Sequence, residues 1–168
     1  MTVPGASAAR AGFSFKVRVY YEDTDAAGVV YYANYLKFME RARTEWLEAL
    51  GFSLAAFERD HRVAFVVRHA DIDFLLPARL NDRLEVTVEA LDHGASRMAI
   101  GQRVLRGGTK LATARITLAC LDTARWRPTR IPAPLAAVLK TGAIAARRER
   151  RPSRRAAEST ETTGQEAL

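Results

Sequence analysis

Apolar and polar residues alternate across residues 15–21 in a stretch rich in β-branched and aromatic side chains, which predicts a strand. Across residues 34–50 the period changes. Tyr35, Leu36, Met39, Ala42, Trp46, Leu47 and Leu50 recur at helical spacing, with Lys37, Arg41, Glu45 and Glu48 on the opposite face. Asn34 reads as the N-cap of this helix and Gly51 as its stop. Residues 54–60 predict a short second helix. Four strand-like runs follow at 63–76, 83–91, 97–106 and 110–121. Pro77 closes the first, and Gly107-Gly108 joins the last two as a hairpin turn. Pro128, Pro132 and Pro134 break the chain before a terminal helix predicted over 135–146. A strand, a long helix and a four-strand meander make an α+β domain. The simplest packing wraps an antiparallel sheet of about five strands round the long helix, with Met39, Trp46 and Leu50 facing the sheet.

The chain has 168 residues, 48% of them hydrophobic, enough for one domain with a real core. No apolar run approaches the roughly 18 residues that a membrane span needs. Residues 1–12 are small and polar, Arg10 being the only charge, and lack the apolar centre of a secretion signal. Cys120 is the only cysteine, which excludes an internal disulfide and a cysteine metal cluster. It lies in an apolar run and reads as a core residue. A cytoplasmic location is the expectation. The net charge of +7 is unevenly spread along the chain, and residues 147–155 hold six Arg against one Glu. Residues 156–168 return three Glu. The expected division is a flexible N-terminus over 1–12, one domain over 13–140, and a helix end with a disordered tail over 141–168. The basic run could touch an anionic membrane. Nucleic acid is the weaker partner, since no aromatic residue interleaves with those arginines to stack on bases.

The candidate chemistry lies between the first strand and the helix, in Asp23-Thr24-Asp25-Ala26-Ala27-Gly28 followed by Val29, Val30, Tyr31 and Tyr32. Asp is common in turns for its hydrogen bonding, and on composition alone that reading of Asp23 and Asp25 stands first. The surroundings shift the balance. Gly28 permits close backbone approach, and the apolar residues wall the loop. An Asp there is a candidate general base or nucleophile. The helix start adds unpaired N–H groups that can stabilise an oxyanion. His61, His69 and His93 are scattered, with no metal-ligand spacing, and each reads as structural or exposed. Ser53 and Ser96 lack a serine-hydrolase elbow.

Glu-Asp-Thr-Asp-Ala-Ala-Gly-Val-Val-Tyr (22–31) and Ala-Asn-Tyr-Leu-Lys-Phe-Met-Glu-Arg-Ala-Arg-Thr-Glu-Trp (33–46) resemble the signature of hotdog-fold acyl-CoA thioesterases of the 4-hydroxybenzoyl-CoA thioesterase family. The match is closest to the branch associated with the Tol–Pal gene cluster. Weaker similarity runs through Phe65-Val-Val-Arg68, Pro77-Ala-Arg-Leu80 and residues 82–120, so the resemblance covers about 15–125. It implies that Asp25 is the catalytic carboxylate, attacking the thioester carbonyl or activating water, and neither route needs a metal or cofactor. It also implies that the Tyr32 backbone N–H polarises that carbonyl and that Gly28 lets the acyl group approach. Substrate contacts would come from Val30, Tyr31, Asn34, Tyr35, Arg68, Ser96 and Arg97. The Tol–Pal branch often has His where this chain has Tyr32, so a route through an imidazole does not carry over. The basic cluster that grips CoA phosphates should fall near His93-Gly94-Ala95, where only His93 and Arg97 can carry charge. Arg68 and Arg79 are alternatives.

The leading reading is therefore a thioesterase acting on short aliphatic or aromatic acyl-CoA, with acyl-carrier protein as a second carrier. The alternative is a hotdog protein that binds acyl-CoA or acyl-carrier protein without cleaving it. A hydratase or dehydratase would need a histidine that the motif lacks. Glu40, on the helix, is a rival acid, but it is better explained by ion pairing at helical spacing with Lys37 or Arg43. The resemblance also implies a homo-oligomer, a tetramer built as a dimer of dimers, because an open sheet edge invites pairing with a second copy.

Overall fold

The computed structural model describes residues 12–149, with side chains through residue 141. Residues 1–11, expected as a flexible N-terminus, and the expected tail from residue 150 lie outside the described residues. Strand β1 (Phe13–Arg18) leads through a single 3₁₀ turn (Tyr21–Asp23) and a loop into helix α1 (Tyr32–Ala49). A short helix α2 (Leu54–His61) follows, then β2 (Val63–Phe74), β3 (Arg83–His93), β4 (Arg97–Arg106), β5 (Thr109–Asp122), β6 (Arg127–Pro128) and α3 (Ala133–Glu149). The sheet runs in the order β1-β3-β4-β5-β2, all neighbours antiparallel, with β6 added to β5. Helix α1 packs on β1, β3 and β4. This is the hotdog arrangement.

The long helix forms for the expected reason. Tyr35, Met39, Ala42, Trp46, Leu47 and Leu50 are buried as expected, Phe38 joins them, Leu36 turns outward instead, and Lys37, Arg41, Glu45 and Glu48 are exposed. Burying one of the larger side chains contributes about 1.5–3 kcal/mol. Gly51 closes the helix at φ +86°, a conformation that costs glycine little. Gly107 and Gly108 both take positive φ in the two-residue β4–β5 turn, as a twisted hairpin requires. Cys120 is fully buried, and burial pushes its thiol up to about 11.

Four expectations change. β1 ends at Arg18 rather than residue 21, because Asp23 draws the chain into a turn: its Oδ2 accepts the Tyr20 N–H at 2.8 Å and its own N–H bonds the Tyr20 carbonyl at 3.1 Å. The helix begins at Tyr32 with Tyr31 as N-cap, so Asn34 sits inside the first turn. Strands β3, β4 and β5 do form a meander, but β2 pairs with β5 at the far edge. β3 already has β1 on one side and β4 on the other, so β2 cannot join the meander beside β3 and takes the free side of β5. Helix α3 continues to Glu149, three residues beyond the expected end at Ala146.

Glu40 is exposed and accepts a hydrogen bond from the Thr44 hydroxyl at 3.0 Å rather than pairing with Lys37 or Arg43. Arg43 instead turns into the core. Its Nη1 donates to Gln102 Oε1 at 2.8 Å, and Gln102 Nε2 donates to the Met39 carbonyl at 3.0 Å. Burial lowers the Arg43 pKa, partly offset by Glu40. This buried pair joins helix to sheet.

Candidate active site

Residues 23–31 fold back on themselves. The Asp25 N–H bonds the Val29 carbonyl at 3.0 Å, and the Tyr31 N–H bonds the Asp23 carbonyl at 2.9 Å, with Thr24 and Val30 bridged between them. Gly28, at φ +72°, makes the turn. Its N–H bonds the Asp25 carbonyl at 2.9 Å, and a Cβ there would meet nothing within 4 Å. The loop leans on the β2–β3 connection: the Val30 N–H reaches the Ala78 carbonyl at 2.8 Å, and Val29 bridges Arg79. Tyr35, on α1, holds the same connection, its hydroxyl accepting the Ala78 N–H at 2.9 Å. Burial raises the Tyr35 pKa. Asp82 closes the segment. Burial would raise its pKa, but bonds from the Arg79 N–H and from Arg106 hold it below the usual range.

The two aspartates separate by role. Asp23 is buried, and its carboxylate and carbonyl are spent on Tyr20, Tyr31 and Asn34. Asp25 is exposed. One oxygen accepts the Ala27 N–H at 2.9 Å, and the other has no partner among the described residues. Seven residues on, the Tyr32 N–H is the first of α1. It has no intrahelical acceptor, and Tyr31 supplies no capping side chain. A free carboxylate oxygen and a free N–H at the positive end of a helix thus belong to one braced loop. That pair can attack or hydrate a carbonyl and stabilise the oxyanion that results.

Asp25, Gly28, Val30, Tyr31, Tyr32, Asn34 and Tyr35 all belong to this loop and helix start. Val30 and Tyr35 are buried, and Asn34 braces the loop by donating from Nδ2 to the Asp23 carbonyl at 3.0 Å. Tyr31 and Tyr32 are exposed, their rings 4.8 Å apart. The Tyr31 hydroxyl is raised above its ordinary pKa, chiefly by Tyr32 and more weakly by Asp25.

Arg68, Ser96 and Arg97 lie elsewhere. Arg68 is exposed at a bulge in β2. Ser96 holds the β3–β4 turn against β5 through its carbonyl, which accepts the Cys120 N–H at 2.8 Å. Arg97 lines a cavity of about 150 Å³ with Asp92, His93 and Arg115. That turn is at the opposite end of the 11-residue β3 from Asp82, a span of roughly 35 Å for an extended strand.

Phe74 was not among the residues expected at the site. This residue ends β2, and its ring meets Tyr35 edge-on at 5.4 Å and Tyr32 at 6.3 Å. The contact joins residues about forty apart, so no local pattern reports it. Among the described residues no group of three His, Cys, Asp or Glu could hold a metal ion, and no helix is long and apolar enough to cross a membrane.

Comparison with known proteins points the same way. The profile of the thioesterase-like superfamily matches residues 19–139. The chain is 44% identical over 121 residues to the acyl-CoA thioesterase YbgC of Haemophilus influenzae, covering 72% of this chain and 89% of that protein. It is 36% identical over 124 residues to the 1,4-dihydroxy-2-naphthoyl-CoA hydrolase of Thermosynechococcus vestitus, covering 73% and 85%. The crystal structure of a 1,4-dihydroxy-2-naphthoyl-CoA thioesterase from Synechocystis superposes with a TM-score of 0.71 at 28% identity, covering 77% of this chain and 96% of that one.

Proposed function

This chain belongs to the thioesterase-like superfamily, and we propose that, as a thioester hydrolase, it cleaves acyl-CoA to free acid and CoA with Asp25 as the catalytic carboxylate. The observation that carries the proposal is the pairing, within one braced loop, of an exposed Asp25 carboxylate and the uncapped Tyr32 N–H. The thioester carbonyl oxygen sits at the Tyr32 N–H, and Asp25 either attacks the carbonyl carbon or takes the proton from an attacking water. Gly28 leaves its own position open, since it carries no side chain and nothing lies within 4 Å of where a Cβ would stand. The hydrolases named among its relatives act on acyl-CoA and on an aromatic acyl-CoA, and both substrate classes stay within the proposal. So does acyl-carrier protein as the carrier.

The placement of Arg68, Ser96 and Arg97 favours a second copy as part of the working unit. Among the described residues strand β2 pairs only with β5, which leaves its other edge open over 12 residues there. Two copies joined antiparallel along β2 would carry the far end of one β2 to the partner's Phe74. The grip on CoA would then come from Arg68, Ser96 and Arg97 across the seam, in a dimer or a tetramer of two such dimers. A cytoplasmic setting and the Tol–Pal branch belong to the same reading.

The test is thiol release from a panel of short, long and aromatic acyl-CoAs. The wild type should cleave at least one, and Asp25→Ala should lose about 10³-fold or more in kcat while keeping its fold. A folded Asp25→Ala variant as active as the wild type would sink the assignment. A wild type that binds acyl-CoA but releases no thiol from any of them would favour the non-catalytic binder.

A further inference from the structure

Phe74, Tyr31 and Tyr32 are 49%, 44% and 61% exposed, yet they are not scattered. The Tyr31 and Tyr32 rings are 4.8 Å apart at 58°, and Tyr32 meets Phe74 at 6.3 Å and 82°. Phe74 is held from behind by Tyr35 at 5.4 Å, and Tyr35 is itself buried and tied to the Ala78 N–H. One edge of the group is therefore fixed in the core while its other surface is bare. Single exposed aromatics need no explanation. Three contiguous ones, one of them on the residue whose backbone would bind the thioester oxygen, do call for one.

The division of labour within Tyr32 is informative. Its proposed catalytic part is the backbone N–H, which any residue but proline supplies, so the ring is free for another task. An acyl group bonded to a carbonyl at that N–H must extend beside that residue's ring. We propose that Phe74 and the Tyr32 ring form a recognition platform that selects an aromatic acyl group over a linear aliphatic one of equal carbon number. The inference rests on the proposed position of the thioester carbonyl at the Tyr32 N–H. Aromatic rings gain from offset or edge-to-face contact beyond the area they bury, and a flexible alkyl chain on the same surface gains only the area. Each such contact shifts selectivity by about 2- to 10-fold.

The experiment compares benzoyl-CoA with carbon-matched heptanoyl-CoA in the wild type, Phe74→Leu and Tyr32→Leu. Leucine keeps the site apolar, and at position 32 it keeps the N–H. The ratio of kcat/KM for benzoyl over heptanoyl should favour benzoyl in the wild type. It should fall by about 2- to 10-fold in each variant, mainly through KM. The same two thioesters are titrated calorimetrically into Asp25→Asn protein with and without each leucine substitution, so that Kd is read without turnover. A wild type that prefers heptanoyl-CoA, or a ratio left unchanged by both substitutions in kcat/KM and Kd, overturns the platform. Equal losses for both thioesters overturn it too, because they assign the rings to packing. If the wild type releases no thiol but the Kd ratio favours benzoyl and falls with each substitution, the platform stands and the catalytic reading fails.

Discussion

At the scale of single residues, the site depends on conformations and protonation states that few side chains can supply. Gly28 holds φ +72° in open space, so a substitution there is strained by its backbone alone. Gly28→Ala should cost about 1–2 kcal/mol and, because this turn presents Asp25, should lower turnover more than stability. Thermal unfolding alongside thiol release reads both, and equal turnover in a destabilised variant would detach the turn from the chemistry. Cys120 makes a separate prediction. Its thiol is raised to about 11 by burial, against about 8.5 in an unfolded chain. The folded state therefore holds the proton where the unfolded state has released it. The associated stability is complete below pH of about 8.5 and is lost as pH rises toward 11, by up to about 3 kcal/mol. The urea midpoint should fall more steeply between pH 8 and pH 10 in the wild type than in Cys120→Ala, with parallel curves counting against it.

At the scale of elements, the segment between β2 and β3 matters as much as the loop it supports. Ala78 is fully buried, its carbonyl bonded to the Val30 N–H and its N–H to the Tyr35 hydroxyl. Tyr35→Phe removes only that hydroxyl and leaves a buried N–H without an acceptor, at a cost of about 1–3 kcal/mol. The melting temperature should drop by roughly 3–10 °C, and an unchanged value would mean that water replaces the bond. These elements differ in how far the sequence announced them. The period of α1, the Gly107-Gly108 turn and the alternation in β3 were legible because each is a local pattern read by local sterics and burial. The partner of β2 was not, because strand order depends on which edges stay free once β1 and β4 have flanked β3. Asn34 misled for a related reason: its side chain satisfies a carbonyl in the preceding loop instead of capping the helix, and only the fold shows that the loop passes there. The Asp25 motif was legible through resemblance, whereas Phe74 reaches the helix start through the curl of the sheet.

At the scale of the whole molecule, the single chain looks unfinished on one side. Helix α1 covers β1, β3 and β4, while β2 lies at the other edge of the sheet. Val67, Ala70 and Ile72 on β2 are cross-strand neighbours of Leu118, Ile116 and Ala114, so they share the core-facing side of the sheet. Yet Val67 is 50% exposed. Leu75 and Leu76, just beyond the end of β2, are exposed as well. A row of apolar side chains beside an unpaired strand edge is the condition for association with a second copy. Because an isologous joint is self-complementary, one altered position would appear twice at such a seam. Val67→Lys should therefore place two charges where two apolar side chains would meet, and light scattering should show the assembly falling to monomers. If residues across the seam complete the site, thiol release should fall with it, and raising the protein concentration should restore part of both together. A Val67→Lys monomer with full activity would show that each chain carries its whole site, and Arg68, Ser96 and Arg97 would then have no part in gripping CoA.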